Sequence, residues 1–255
     1  SEKLTKGFGP KVDGFDVLPF FSDMKKVEDH ITTETAGIMI EPIQGEGGIR
    51  SVTTKNLIVL RKLADKHGIL LIFDEIQCGI GRTGKLFCHE HAGVTPDIMP
   101  IAKGIGGGFP LGACLAKNSV AKHMTLGTHG STYGGNPLAM AMGNAVLDVL
   151  EEEKILSNVK IMSEKLKVEL ISLSKKYPEI IDEIRGLGLM IGLKLHRNPR
   201  EFIAQAFENK LLVVGASENT IRILPPLNIT LADINEASKK LNKTCLDELK
   251  KFKTI

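Results

Sequence analysis

The sequence predicts an α/β fold: a mostly parallel sheet in a large domain over residues 1–150, followed by a smaller α+β domain over residues 151–255. Three observations predict it. Two continuous apolar runs, AGIMIEP (36–42) and GILLIFDE (68–75), flank a stretch with helical period. Runs apolar on both faces suit a parallel sheet covered by helices. Near residue 150 the composition shifts from small and apolar residues to a Lys/Glu-rich helical segment.

Between the two runs, TTKNLIVLRKLADKHG places Leu57, Leu60 and Leu63 at helical spacing and ends on Gly68 as a C-cap, which completes a βαβ unit. PDIMPIAK (96–103) and PLGACLAK (110–117) read as two further short strands. GGNPLAMAMGNAVLDVLEEE and KILSNVKIMSEKLKVELISLSKKYP read as helices. Beyond them, RGLGLMIGLKL (185–195) reads as one strand, REFIAQAFENKL as a helix and TIRILPP as a short strand. TLADINEASKKLNKTCLDELKKFK reads as a closing amphipathic helix capped by Thr230.

The totals narrow the function classes. Of 255 residues, 42% are hydrophobic and 25% charged, an ordinary balance for a globular protein. Lys and Arg number 33 against 30 acidic residues, and the net +3 is dispersed, so nucleic acid is not an expected partner. No apolar stretch approaches the roughly 20 residues that span a bilayer. The start, SEKLTKGFGP, lacks the apolar core of a signal peptide, so the expectation is a cytoplasmic protein with no membrane association. Four scattered cysteines without a CxxC pair suggest reduced thiols rather than a disulfide scaffold. CHEH (88–91) has metal-ligand residue types but neither helical histidine spacing nor a downstream partner, so no metal is expected.

Ligands of open parallel sheets collect beyond the carboxyl ends of strands. Asp74 sits at one such end, and Lys103 follows another and precedes a run of glycines. A partly desolvated lysine loses its proton more readily and attacks carbonyls. A nearby aspartate suits a cation such as a protonated pyridine nitrogen. Taken singly, each residue is more often mundane: strand-end lysines are usually solvated and an Asp before a turn often forms that turn. GIGGG does not follow the GxGxxG order and leads into a strand, which argues against a nicotinamide-dependent oxidoreductase. EPIQGEGG (41–48) offers Gln44 and Glu46 among glycines, and HGSTYGGNP (129–137) offers Ser131 and Thr132 hydroxyls with backbone amides suited to a phosphate.

In order along the chain, EPIQGEGG, LLIFDEIQCGIGRTGKLF, PDIMPIAKGIGGGFPLGA, GTHGSTYGGNPLA and IRILPPLNIT resemble the class III pyridoxal-phosphate aminotransferases, most closely their acetylornithine and ornithine aminotransferase branch. The resemblance implies fold type I and pyridoxal 5'-phosphate (PLP) as cofactor. It implies that Lys103 holds the cofactor covalently and carries the transferred proton, that Asp74 pairs with the pyridinium nitrogen, and that Gln77 bonds the phenolic oxygen. Ser131 and Thr132 would bind the phosphate, Thr132 that of a neighbouring subunit, which implies a homodimer. Arg222 would bind a substrate carboxylate, and Glu46 would cover that arginine in one half-reaction. The implied activity moves the omega-amino group of N-acetylornithine or a related omega-amine to 2-oxoglutarate, in arginine- or lysine-type metabolism. Another class III omega-aminotransferase or an aminomutase is the alternative, and a catalytically impaired truncated remnant is the alternative of another class.

The family pattern includes an N-terminal portion with a phosphate-binding Gly-Thr turn and an aromatic that stacks on the cofactor, and these residues hold no counterpart of either. The 255 residues by themselves are therefore expected to bind cofactor weakly and to leave apolar sheet surface exposed.

Overall fold

The computed structural model describes residues 5–20 and 23–253. The chain forms two compact units, Ser1–Thr35 and Ala36–Ile255. In the first, helix α1 (Met24–Asp29) starts at Asp23, whose side chain accepts from Lys25 N.

The second unit begins with β1 (Gly37–Ile40), the short β2–β3 pair (Ile43–Gln44 and Arg50–Ser51), α2 (Thr54–His67) and β4 (Leu70–Phe73). The α2 ends follow from local chemistry. Thr53 accepts from Asn56 N at the start, and Gly68 closes the last turn in the left-handed region at φ 66°. Leu57, Leu60 and Leu63 form its buried face, as their spacing predicts. Next come β5 (Ile98–Ile101), β6 (Ala113–Ala116), α3 (Asn118–Ala121), α4 (Pro137–Glu152) and α5 (Ile155–Lys176). The first sheet has the order β1-β4-β5-β6, with β1, β4 and β5 parallel and β6 antiparallel to β5. The reversal at β6 has a simple cause: residues 102–112 form too short a connection for a parallel crossover, which takes about a dozen residues or more.

The remaining elements are β7 (Ile181–Leu187), β8 (Met190–Leu195), α6 (Arg200–Glu208), β9 (Val214–Ala216), β10 (Thr220–Ile223) and α7 (Leu231–Lys253). They build a second, wholly antiparallel sheet in the order β7-β8-β10-β9. The single strand expected over 185–195 is instead a tight hairpin in which Leu187 pairs with Met190. Gly188 permits the turn: its φ is 59°, and a Cβ there would lie 2.5 Å from Thr83 Cα. The short edge strand β9 carried no pattern that reveals it. Thr230 caps α7 as expected, in a reciprocal box: its hydroxyl accepts from Asp233 N while the Asp233 carboxylate accepts from Thr230 N.

The main core is built on the second sheet. Leu193 of β8 and Ile221 of β10 are fully buried, as are Leu170 of α5 and Ile234 of α7. The first sheet is not covered on both faces as the apolar runs suggest. Its β6 is exposed along its whole length, and Met39 of β1 is 62% exposed. The expected exposed apolar sheet surface is therefore present. Among the described residues, no helix is long and apolar enough to cross a membrane.

Candidate active site

The parallel strands β1, β4 and β5 run out side by side, and their ladder continues one step past the strands: Asp74 N donates to Ile40 O at 3.0 Å and Glu75 N to Pro100 O at 3.1 Å. Successive residues of an extended chain face opposite ways, and this separates the two acids. Asp74 Oδ1 accepts from Ile76 N at 2.9 Å, while its other oxygen makes no hydrogen bond among the described residues. Glu75 turns inward and is fully buried, where it accepts from Cys88 N at 2.6 Å and His89 N at 2.7 Å and so ties down the loop that leaves β4. Burial pushes the Glu75 carboxyl up, against the pull of those two amides. Sequence reasoning assigned Glu75 no role, although the alternation of faces after β4 was the available signal.

Lys103 follows β5, opens a single 3-10 turn (Lys103–Gly106) and has φ 50°, a left-handed conformation uncommon for lysine. It is exposed, as are Gly104, Gly107 and Gly108 around it, so the partial desolvation expected of its ammonium is not met in this chain. Glu41, at the end of β1, was also overlooked in the sequence. Its carboxylate accepts from Gly45 N at 3.2 Å. Burial raises it, the Gly45 amide opposes this, Asp74 and Glu46 add to it, and the Lys103 ammonium opposes it. Glu41, Asp74, Lys103 and Glu46 thus share one electrostatic environment.

The second sheet supplies the cation facing this group. Arg222 of β10 is 7% exposed; its Nη1 donates to Glu46 Oε1 at 2.5 Å and to Gln77 Oε1 at 3.4 Å, and its Nη2 donates to Gly215 O at 3.1 Å. Its Nε is buried with no partner among the described residues, so the guanidinium fork is not saturated there. Gly45 lies directly under the Gln77 amide, which occupies the space a Cβ there would take. The structure therefore gathers Asp74, Lys103, Glu46, Gln77 and Arg222. Ser131 and Thr132 stand apart on the exposed approach to α4, where Ser131 Oγ accepts from Gly134 N, and neither bonds to that group among the described residues.

The CHEH run is turned to other tasks. His89 Nδ1 meets Val94 O, His91 Nε2 meets the Thr83 hydroxyl, and Cys88 packs against Cys78 in a small buried cluster. Among the described residues no group of three or more His, Cys, Asp or Glu is placed to hold a metal.

This donor set suits an aldehyde-bearing, cationic heteroaromatic ring: an accessible primary amine, a carboxylate with one oxygen free, and an amide within reach of a carboxylate-binding arginine. The aminotransferase class-III family profile matches residues 11–245. The chain belongs to the class-III aminotransferases. It is 54% identical over 239 residues to an acetylornithine aminotransferase of Mesorhizobium japonicum, covering 94% of this chain and 60% of that relative. It is 51% identical over 247 residues to one of Brucella melitensis, covering 97% and 61%. Among solved structures, an ornithine aminotransferase of Toxoplasma gondii superposes with a TM-score of 0.94 at 31% identity, covering 99% of this chain and 61% of that one. An acetylornithine aminotransferase of Elizabethkingia anophelis gives 0.82 at 35% identity, covering 88% and 57%. The fold is the fold type I of the PLP-dependent transferases, and the chain spans about three-fifths of the length of these relatives.

Proposed function

We propose that this chain carries most of the catalytic residues of a PLP-dependent aminotransferase that moves the omega-amino group of N-acetylornithine, or a related omega-amine, to 2-oxoglutarate. The observation that carries the reading is the Glu46 carboxylate seated on the buried Arg222 guanidinium beside Gln77, in the same group as Asp74 and Lys103. An arginine covered by an internal carboxylate can accept a substrate carboxylate in one half-reaction and be masked in the other. Two amino-group carriers of different shape then use one site. The names of the relatives support the choice of donor.

Bound PLP supplies an electron sink for negative charge at the substrate carbon. The chain supplies the rest. Asp74 would hold the protonated ring nitrogen, and Gln77 would donate from its amide to the ring oxygen. Lys103 Nζ would hold the cofactor through its aldehyde, and the same amine would serve as the base that moves a proton at the substrate carbon. Arg222 orients the acceptor by its carboxylate, and Glu46 withdraws to admit it. Ser131 and Thr132 bind phosphate, Thr132 toward the cofactor of a second copy in a cytoplasmic homodimer. A division near residue 150 separates the cofactor-binding part from the C-terminal part. Nucleic acid and membranes have no part in this reading.

The test is borohydride reduction of the cofactor-loaded protein followed by peptide mapping, with Lys103→Ala as control. The expected adduct lies on Lys103 and is lost in the control. An adduct on another lysine, or amino transfer that survives Lys103→Ala, would reject the reading. Half-reactions with N-acetylornithine and 2-oxoglutarate, followed at the cofactor absorbance, then decide the substrates.

A further inference from the structure

Glu46 meets Arg222 as a carboxylate whose side chain is 77% exposed. The arginine is buried but the carboxylate side of the pair is open to solvent, so the placement of the backbone under Glu46 bears on how firmly the pair stays closed. That backbone rests on the turn at residues 217–219, which leads directly into β10 and Arg222. Ser217 N donates to Glu46 O at 2.9 Å. Gly48 packs so closely on the same turn that a Cβ there would lie 2.9 Å from Ser217 O.

The turn is fastened by one side chain. Glu218 Oε1 pairs with Arg50 Nη1 at 2.9 Å, and its Oε2 pairs with Arg185 Nη1 at 2.7 Å. Both arginines reach back to the Glu46 segment. Arg50 directly follows it in β3 and donates to Gln44 Oε1 at 2.8 and 3.2 Å, and Arg185 of β7 donates to Gly48 O at 3.4 Å. Glu183 completes the row by accepting from Arg185 Nε at 2.7 Å. Glu218 adopts φ 57° and Asn219 φ 54°. A glycine takes that conformation at lower cost, so the glutamate is held there by its side-chain pairs.

We infer that Glu218 is a positioning residue for the Glu46–Arg222 pair: clasped by Arg50 and Arg185, it holds the 217–219 turn against residues 45–49 and so sets how readily an incoming carboxylate displaces Glu46. The inference deepens the proposed function and rests on its assignment of Arg222 to carboxylate binding.

The test uses the full-length, cofactor-loaded protein and glutarate, a dicarboxylate that cannot react, titrated calorimetrically into wild type, Glu218→Gln, Glu46→Gln and the double variant. Thermal unfolding checks that each variant is folded, and Arg50→Gln serves as a second way to open the clasp. Glu218→Gln and Arg50→Gln should tighten glutarate binding about two- to fivefold, the range expected when exposed ion pairs are lost. In the Glu46→Gln background the same Glu218 change should have little effect, because the group it positions is gone. Unchanged glutarate binding in Glu218→Gln would overturn the inference, as would an equal change in both backgrounds. Failure of even Glu46→Gln to bind glutarate would overturn it together with the role of Arg222. The expected binding pattern in a protein that transfers no amino group would leave the clasp standing and reject the proposed activity.

Discussion

The two four-stranded sheets of residues 36–255 carry the two halves of the site under opposite conditions. In the antiparallel sheet, β8 is buried along almost its whole length, and Thr220, Ile221 and Arg222 of β10 are all buried. In the other sheet, β1 alternates between exposed and half-buried positions and β6 is exposed throughout. Arg222 therefore hangs from a packed core, fixed by its neighbours Glu46, Gln77 and Gly215. Asp74 and Lys103 project from strand ends whose order depends on backbone ladders and on Glu75. Preorganisation thus differs between two sets of residues that the proposed function assigns to one substrate.

Three substitutions break or sharpen that contrast. The largest effect is expected at the centre of the covered sheet: Leu193→Ala should cost about 2–5 kcal/mol by urea unfolding, since the side chain is fully buried and its removal leaves a cavity. A loss below about 1 kcal/mol would mean that this sheet is less well packed than its burial implies.

An intermediate effect is expected where the open sheet hands over to its loop. Glu75→Gln keeps the shape but offers a single acceptor for two buried amides, and at mildly acidic pH it should cost about 1–3 kcal/mol. The pH dependence has a definite sign. Burial raises the folded-state pKa of Glu75 above its unfolded value, so the folded protein holds this proton more tightly. Its stabilising contribution is complete below the unfolded pKa and declines as pH rises through the folded one. The gap between wild type and Glu75→Gln should therefore narrow as pH rises through that window, and a gap that widens would contradict the inward, desolvated placement of this acid.

The smallest effect belongs to the open edge. Met39→Ala should change stability by no more than about 0.5 kcal/mol, because the side chain is 62% exposed. A change as large as that at Leu193 would show that this edge is covered in solution, and would erase the contrast between the sheets.

Much was legible from residues close together in the chain. The βαβ unit, the Gly68 cap of α2, the Thr230 box of α7 and the Leu57, Leu60 and Leu63 face each follow from chemistry within one or two helical turns. The resemblance carried by five short motifs pointed to Lys103, Asp74, Gln77, Glu46 and Arg222, and the structure gathers these five. What was misread involved choices between neighbours. The run 185–195 has the apolar content of one strand, but Gly188 makes a reversal within it. The strand at 113–116 was placed in the sheet, but its antiparallel direction followed from the length of the loop before it.

By itself the sequence determined the α/β class, the helix termini and the chemical kinds of residue at the site, since periodicity, capping and motif spacing are properties of short windows. Only the tertiary structure decided that Glu75 is buried beneath the amides of Cys88 and His89. It also decided that Glu41 joins the site's charges and that Glu218, far along the chain from Arg50, clasps the turn under Glu46. These outcomes rest on the meeting of segments remote in sequence, where burial and ion pairing depend on neighbours that no local window contains.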